Sequence, residues 1–142
     1  HHLVLRRQRQ MCIRDRRDSD WRDLVRATIE SVAYQTSDLF LSMRKDGLNP
    51  KSVKVDGGMV SNNWFVQFLS EILKIKITRS KINETTALGA AYMAGYQTGI
   101  YRSLSDIKQN WKKDRDFKPK FNKSYRNKLL QGWQQAIKKT LA

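Results

Sequence analysis

Between Val53 and Ile77 the apolar residues change their period twice, and this constrains the fold more than any other feature. Val53 and Val55 alternate with polar neighbours, as on a strand. Gly57-Gly58 interrupts the chain, and Phe65, Phe68, Leu69 and Ile72 then recur at i, i+3, i+4 and i+7, the stripe of an amphipathic helix. Ile75-Lys76-Ile77-Thr78 alternates again. A strand, a helix over Asn63–Leu73 and a second strand predict a βαβ unit and hence an α/β fold, helix-rich with few strands. Two strands are too few for a free-standing sheet, so the remaining strands are expected upstream.

The flanking segments read as helices. Asp20 suits an N-cap, with Asp23 in the first turn. Val25, Ile29, Val32, Thr36, Leu39 and Met43 then recur on one helical face, until Gly47 and Pro50 stop the helix. Ser61 or Asn62 can cap the helix that follows the glycine pair. Asn83 and Thr85 are candidate caps for a helix to about Thr98, rich in small residues (Ala87, Gly89, Ala90, Ala91, Ala94 and Gly95) that allow close approach of a neighbour. Gly89 and Gly95 each cost that helix roughly 1 kcal/mol relative to Ala. Ser103 can cap a short helix through Trp111. Asp114–Pro119 reads as extended and charged. Asn122 or Ser124 opens a last helix with Leu129, Leu130, Trp133, Ile137 and Leu141 as its stripe.

Residues 1–16 stand apart. They show no periodicity, and Met11–Arg16 reads MCIRDR, which back-translates to the end of a transposon-based sequencing adapter. The expectation is a non-native segment over 1–16 and a domain over 17–142 that is truncated on its N-terminal side. The single cysteine, Cys12, cannot form an internal disulfide, which fits a reducing compartment. Both histidines are His1 and His2, so beyond residue 16 neither His nor Cys is present for zinc or for His/Cys catalysis. No apolar run approaches the ~18 residues needed to span a bilayer, and His1–Gln10 is too short and basic for a signal core. The expectation is a soluble, cytoplasmic protein that does not bind membranes.

The chemistry concentrates in Val53–Asn63. Ligands of α/β sheets bind at the carboxyl ends of strands. Two glycines there let backbone lie against a flat or anionic ligand. The helix start that follows offers N–H groups and a positive dipole end. Asn62 can present both a donor and an acceptor to an adenine edge or a ribose hydroxyl. A plain β-turn into a helix is the other reading of these residues.

Asp56–Leu73, DGGMVSNNWFVQFLSEIL, resembles the adenosine-binding motif of glycerol kinases in the FGGY family of carbohydrate kinases. Glu84–Gly99, ETTALGAAYMAGYQTG, resembles the Ala/Gly helix that follows it in the family. Asp23–Glu30, DLVRATIE, resembles the latter half of the FGGY signature, and Ser31–Thr36, SVAYQT, continues in the same style. The former half of that signature is missing from the residues before Asp23. The resemblance covers about residues 21–142. It implies part of an actin-like, ribonuclease-H-like ATPase domain, with the long helix Asp20–Asp46 near the domain hinge.

It further implies that Gly58 and Asn62 contact the nucleotide, with Gly57 forming the backbone turn. Glu30 lies in the signature but reads as a helix-face ion pair. Asp56 reads either as a strand-end acid bonding turn N–H groups or as a direct nucleotide contact. ATP is the implied cosubstrate, with Mg²⁺ and glycerol bound only in the complete enzyme, which would transfer the γ-phosphoryl group to glycerol. A homo-oligomer of that parent also fits. No residue here matches the family's phosphate loop, glycerol site or catalytic aspartate, so this chain alone is expected to be inactive.

Two alternatives stay open. One is another FGGY kinase, for pentuloses or gluconate. The other follows from the net charge of +15: a basic module that uses Lys108–Lys139, with Trp111, Phe117, Phe121 and Tyr125 as a stacking surface, on nucleic acid or protein. The resemblance weighs against nucleic acid as a partner.

Overall fold

The computed structural model describes residues 20–82 and 84–141. The segment 1–16, with Cys12 and MCIRDR, lies outside the described residues, as does Asn83. The chain divides into two compact units between Val32 and Ala33.

Helix α1 spans Trp21–Lys45. Asp20 caps it as expected: its Oδ1 accepts the N–H groups of Arg22 at 2.8 Å and Asp23 at 3.2 Å, and Asp23 Oδ2 accepts the Asp20 N–H at 3.1 Å. At the other end Gly47 is left-handed, φ 86°, and Leu48 N–H bonds Met43 O at 2.9 Å, the closing bond of a Schellman turn. The face differs from the expected one. Beyond Val32, α1 buries Ala33, Tyr34 and Ser37, whereas Leu39 is 59% exposed. The reason lies in aromatic docking. Tyr34 stacks on Trp133 with ring centroids 5.4 Å apart, and meets the edge of Phe68 at 5.7 Å.

Strand β1 (Ser52–Val55) pairs in parallel with β2 (Lys76–Ser80), with Val53 opposite Ile77. Helix α2 occupies Asn63–Leu73, the expected bounds, and joins them into the βαβ unit. Its Phe65, Val66, Phe68, Leu69, Ile72 and Leu73 form the core with Val60, Ile75, Ile77 and Phe117. Each large apolar side chain so buried is worth about 1.5–3 kcal/mol.

The extended segment near Asp114–Pro119 is a third strand, β3 (Lys113–Phe117), antiparallel to β2 on the edge away from β1. Two strands were expected, and the third escaped because its pairing is largely polar. Thr78 Oγ1 donates to Asp116 Oδ1 at 2.8 Å, and Phe117 is its one buried apolar residue among the described ones.

Helix α3 spans Thr85–Gln97; Glu84 occupies the cap position without a side-chain bond. Thr85 is therefore the first helical residue and not the cap. Of the two glycines, Gly95 alone meets a neighbour: a Cβ there would lie 2.9 Å from Tyr101 Cε2, while Gly89 faces open space. Helix α4 spans Leu104–Gln109 and stops before Trp111; Ser103 and Asp106 form its capping box. Helix α5 spans Lys123–Leu141. Asn122 caps it, Oδ1 accepting the Tyr125 N–H at 2.8 Å, so Ser124 lies within the helix. Leu129, Leu130, Trp133 and Ile137 are half-buried as the stripe requires. Leu141, expected on the same stripe, is 83% exposed.

Candidate functional site

The carboxyl end of β1 runs into a tight turn. Gly57 has φ 97° and ψ 173°, a region open essentially to glycine alone. Gly58–Ser61 forms one 3₁₀ turn, closed by the Asn62 N–H on Met59 O at 3.2 Å. Val60, 6% exposed, plugs the turn into the core. A Cβ on Gly58 would meet nothing within 4 Å. The two glycines thus differ in role. Gly57 is required by the backbone, whereas the backbone of Gly58 presents an uncovered surface.

Asn62 caps α2. Its Oδ1 accepts the N–H groups of Trp64 at 3.0 Å and Phe65 at 3.3 Å, as cap residues do. The amide oxygen is therefore engaged by the helix, and Nδ2 makes no bond among the described residues. The expectation that Asn62 offers both donor and acceptor is corrected to donor only. Asp56 is exposed, and no turn N–H bonds its carboxylate among the described residues, so its structural reading is not realised.

The fixed framework beneath the turn was not anticipated. In the parallel pair Val55 lies opposite Arg79, which brings a guanidinium to the same strand ends. Arg79 Nη1 donates to Val60 O at 2.8 Å and to Ser61 O at 3.4 Å. Its Nε and Nη2 reach Asp114 Oδ2 at 2.7 and 2.6 Å. The available signal was only a charged residue following the second predicted strand, Ile75–Thr78.

Among the described residues, Asp116 and Arg126 shift, both outside this turn. Bonds from Thr78, Lys113 and Lys76 hold the Asp116 carboxyl well below the usual carboxylate range. Burial, reinforced by the Arg44 charge, lowers the Arg126 guanidinium; its Nε donates to Ile72 O at 2.7 Å. Glu30 pairs with Arg26 at 2.7 Å, the expected helix-face ion pair. Among the described residues no group of three or more His, Cys, Asp or Glu could hold a metal ion, and no helix is long and apolar enough to cross a membrane.

Gly57, Gly58 and Asn62 therefore share one turn. The proposed aromatic row does not form one surface. Phe117 is core, Trp111 carries Lys54 Nζ 3.8 Å from its ring centroid, and Phe121 and Tyr125 pack edge to face at 4.9 Å.

Residues 5–98 match the C-terminal domain of the FGGY family of carbohydrate kinases. The chain is 46% identical over 123 residues to glycerol kinase 1 of Pseudomonas aeruginosa, covering 87% of this chain and 25% of that protein. It is similar in structure to Plasmodium falciparum glycerol kinase with ADP, TM-score 0.76 at 35% identity, over 89% of this chain and 26% of that one. It also shares the fold of a ligand-bound xylulose kinase from Lactobacillus acidophilus, TM-score 0.69 at 22% identity, over 84% of this chain and 24% of that one. The chain spans about a quarter of the length of the curated relatives it matches.

Proposed function

The chain belongs to the FGGY family of carbohydrate kinases, and we propose that it is the C-terminal part of a glycerol kinase whose Gly57–Asn62 turn holds the adenosine of ATP. The observation that carries this reading is the pairing, in one turn, of an uncovered Gly58 with an Asn62 whose Oδ1 is held by the helix and whose Nδ2 has no partner among the described residues. A flat base laid on Gly58 would keep van der Waals contact with backbone. The Asn62 NH₂ would donate to a ring nitrogen or a ribose hydroxyl. The identity to glycerol kinases supports glycerol as the acceptor; the likeness to the xylulose kinase is one of fold.

In this reading the complete enzyme moves the γ-phosphoryl group of ATP to a glycerol hydroxyl, releasing ADP. That reaction needs a base, a phosphate loop and Mg²⁺. The family resemblance assigns those parts to the rest of the parent protein. The residues here bind and orient the nucleoside. A cytoplasmic location, where ATP is supplied, belongs to the same reading.

An amide-resolved NMR titration of the 142-residue chain with ADP tests the site. Expected are shifts at Gly57, Gly58, Asn62 and Trp64, competition by ATP and no response to glycerol. Absence of shifts in the turn would overturn the assignment. A coupled assay on the same chain should show no ATP-dependent glycerol phosphorylation; turnover would overturn the division of labour. We also propose that residues 1–16 are not native, although the family match reaches back to residue 5. Recovery of the gene upstream of Asp18 decides: a continuous native frame through Met11 would refute this.

A further inference from the structure

We infer that Arg79 is a positioning residue for the nucleotide, acting through Asn62. The inference rests on the nucleotide reading of the turn. In an uninterrupted helix, the N–H groups of Trp64 and Phe65 would bond the carbonyls four residues back, those of Val60 and Ser61. Here Asn62 Oδ1 takes both N–H groups, and Arg79 Nη1 takes both carbonyls. Asn62 and Arg79 together thus replace one turn of helical bonding, the first as acceptor and the second as donor. This exchange is what keeps Asn62 at the cap, φ −75° and ψ 106°, rather than inside the helix.

The guanidinium is built to hold that geometry. Its side chain is 13% exposed. Nε and Nη2 both engage Asp114 Oδ2, and the Phe117 ring lies 5.5 Å from Cζ. A planar fork with fixed donors suits this better than a flexible ammonium. With Arg79 removed, the Val60 and Ser61 carbonyls would compete for the Trp64 and Phe65 N–H groups, draw Asn62 into the helix and turn its Nδ2 away from the ligand. Arg79 is placed on carbonyls and not on the nucleotide, so it is a positioning residue and not a catalytic one.

The test uses the full chain with ADP as probe and compares wild type with Arg79→Met, Arg79→Lys and Asp114→Asn. Two readouts are needed: ADP affinity, and the amide shifts and exchange of Trp64 and Phe65 without ligand. Arg79→Met should weaken ADP about tenfold or more, as loss of a charge-assisted bond implies, and move both amides. Arg79→Lys should restore part of the affinity. Asp114→Asn, at the exposed end of the lock, should weaken ADP a few-fold and move the same amides. If Arg79→Met fails to fold, the other two variants decide. Wild-type affinity with unmoved Trp64 and Phe65 amides in Arg79→Lys and Asp114→Asn would overturn the inference and leave the site reading intact. Absence of any ADP response in wild type would overturn the site reading and this inference with it.

Discussion

The carboxylate of Glu71, 2% exposed, accepts the backbone N–H of Phe121 at 2.7 Å, fifty residues further along the chain. The same Oε2 accepts the Lys120 N–H, and Oε1 accepts from Gln67 Nε2, which also donates to Lys118 O at 2.9 Å. A buried acid on α2 thereby fixes the loop between β3 and α5. Glu71→Gln puts two donors among donors, so at least one of these part-buried N–H groups loses its partner. The expected loss is about 1–3 kcal/mol. Urea unfolding would read it as a lower midpoint with an unchanged slope.

Asn62 allows stability and binding to be separated. Asn62→Asp keeps the cap, since both side chains cap well, but removes the Nδ2 donors. Its melting temperature should stay near wild type while ADP affinity falls. Asn62→Ala loses the cap as well, at about 0.5–2 kcal/mol. Calorimetric melting and ADP titration of both variants check this; an Asp variant that binds ADP as wild type does would remove Asn62 from the contact.

The two glycines should respond in opposite ways. Gly57→Ala forces a side chain into a conformation reserved for glycine, at about 1–3 kcal/mol. Gly58→Ala places its methyl in open space, so stability should change by less than about 0.5 kcal/mol. In the nucleotide reading that methyl stands where the base lies, and ADP affinity should drop about tenfold, as a clash of this size implies. Unchanged affinity in Gly58→Ala would move the nucleotide off this glycine.

Asp116 predicts an acid-sensitive sheet. Its native carboxyl titrates below the ordinary value of 3.8 because Thr78, Lys113 and Lys76 bond its charged form. A lowered native pKa contributes stability that is present above 3.8 and lost as pH falls toward the native value. The difference in unfolding free energy between wild type and Asp116→Asn should therefore be constant above about pH 5 and shrink below it. Urea titrations from pH 7 to pH 2.5 measure it; a pH-independent difference would discount these bonds.

Much of the local structure was legible in the residues themselves. The α2 bounds, the Gly47 stop, the Asp20 and Ser103 caps, the choice of Ser61 or Asn62 and of Asn122 or Ser124, and the βαβ alternation all depend on residues within about four positions of one another. The glycine turn and its Asn were visible for the same reason.

Tertiary structure decided what depends on distant partners. β3 became a strand because Thr78 and Arg79 donate to Asp116 and Asp114, residues that show no apolar alternation of their own. The buried side of α1 beyond Val32 was chosen by Trp133, which stacks on Tyr34 and donates to Asp38 at 2.8 Å. Arg79 looked like one more strand cation until the parallel register set it beside Val55 and under the turn. Capping and periodicity are near-neighbour properties, so residues close in sequence carry most of their signal. Which polar group receives a given charge is settled only when the sheet closes, because the free energy of that choice belongs to the pair and not to either residue alone.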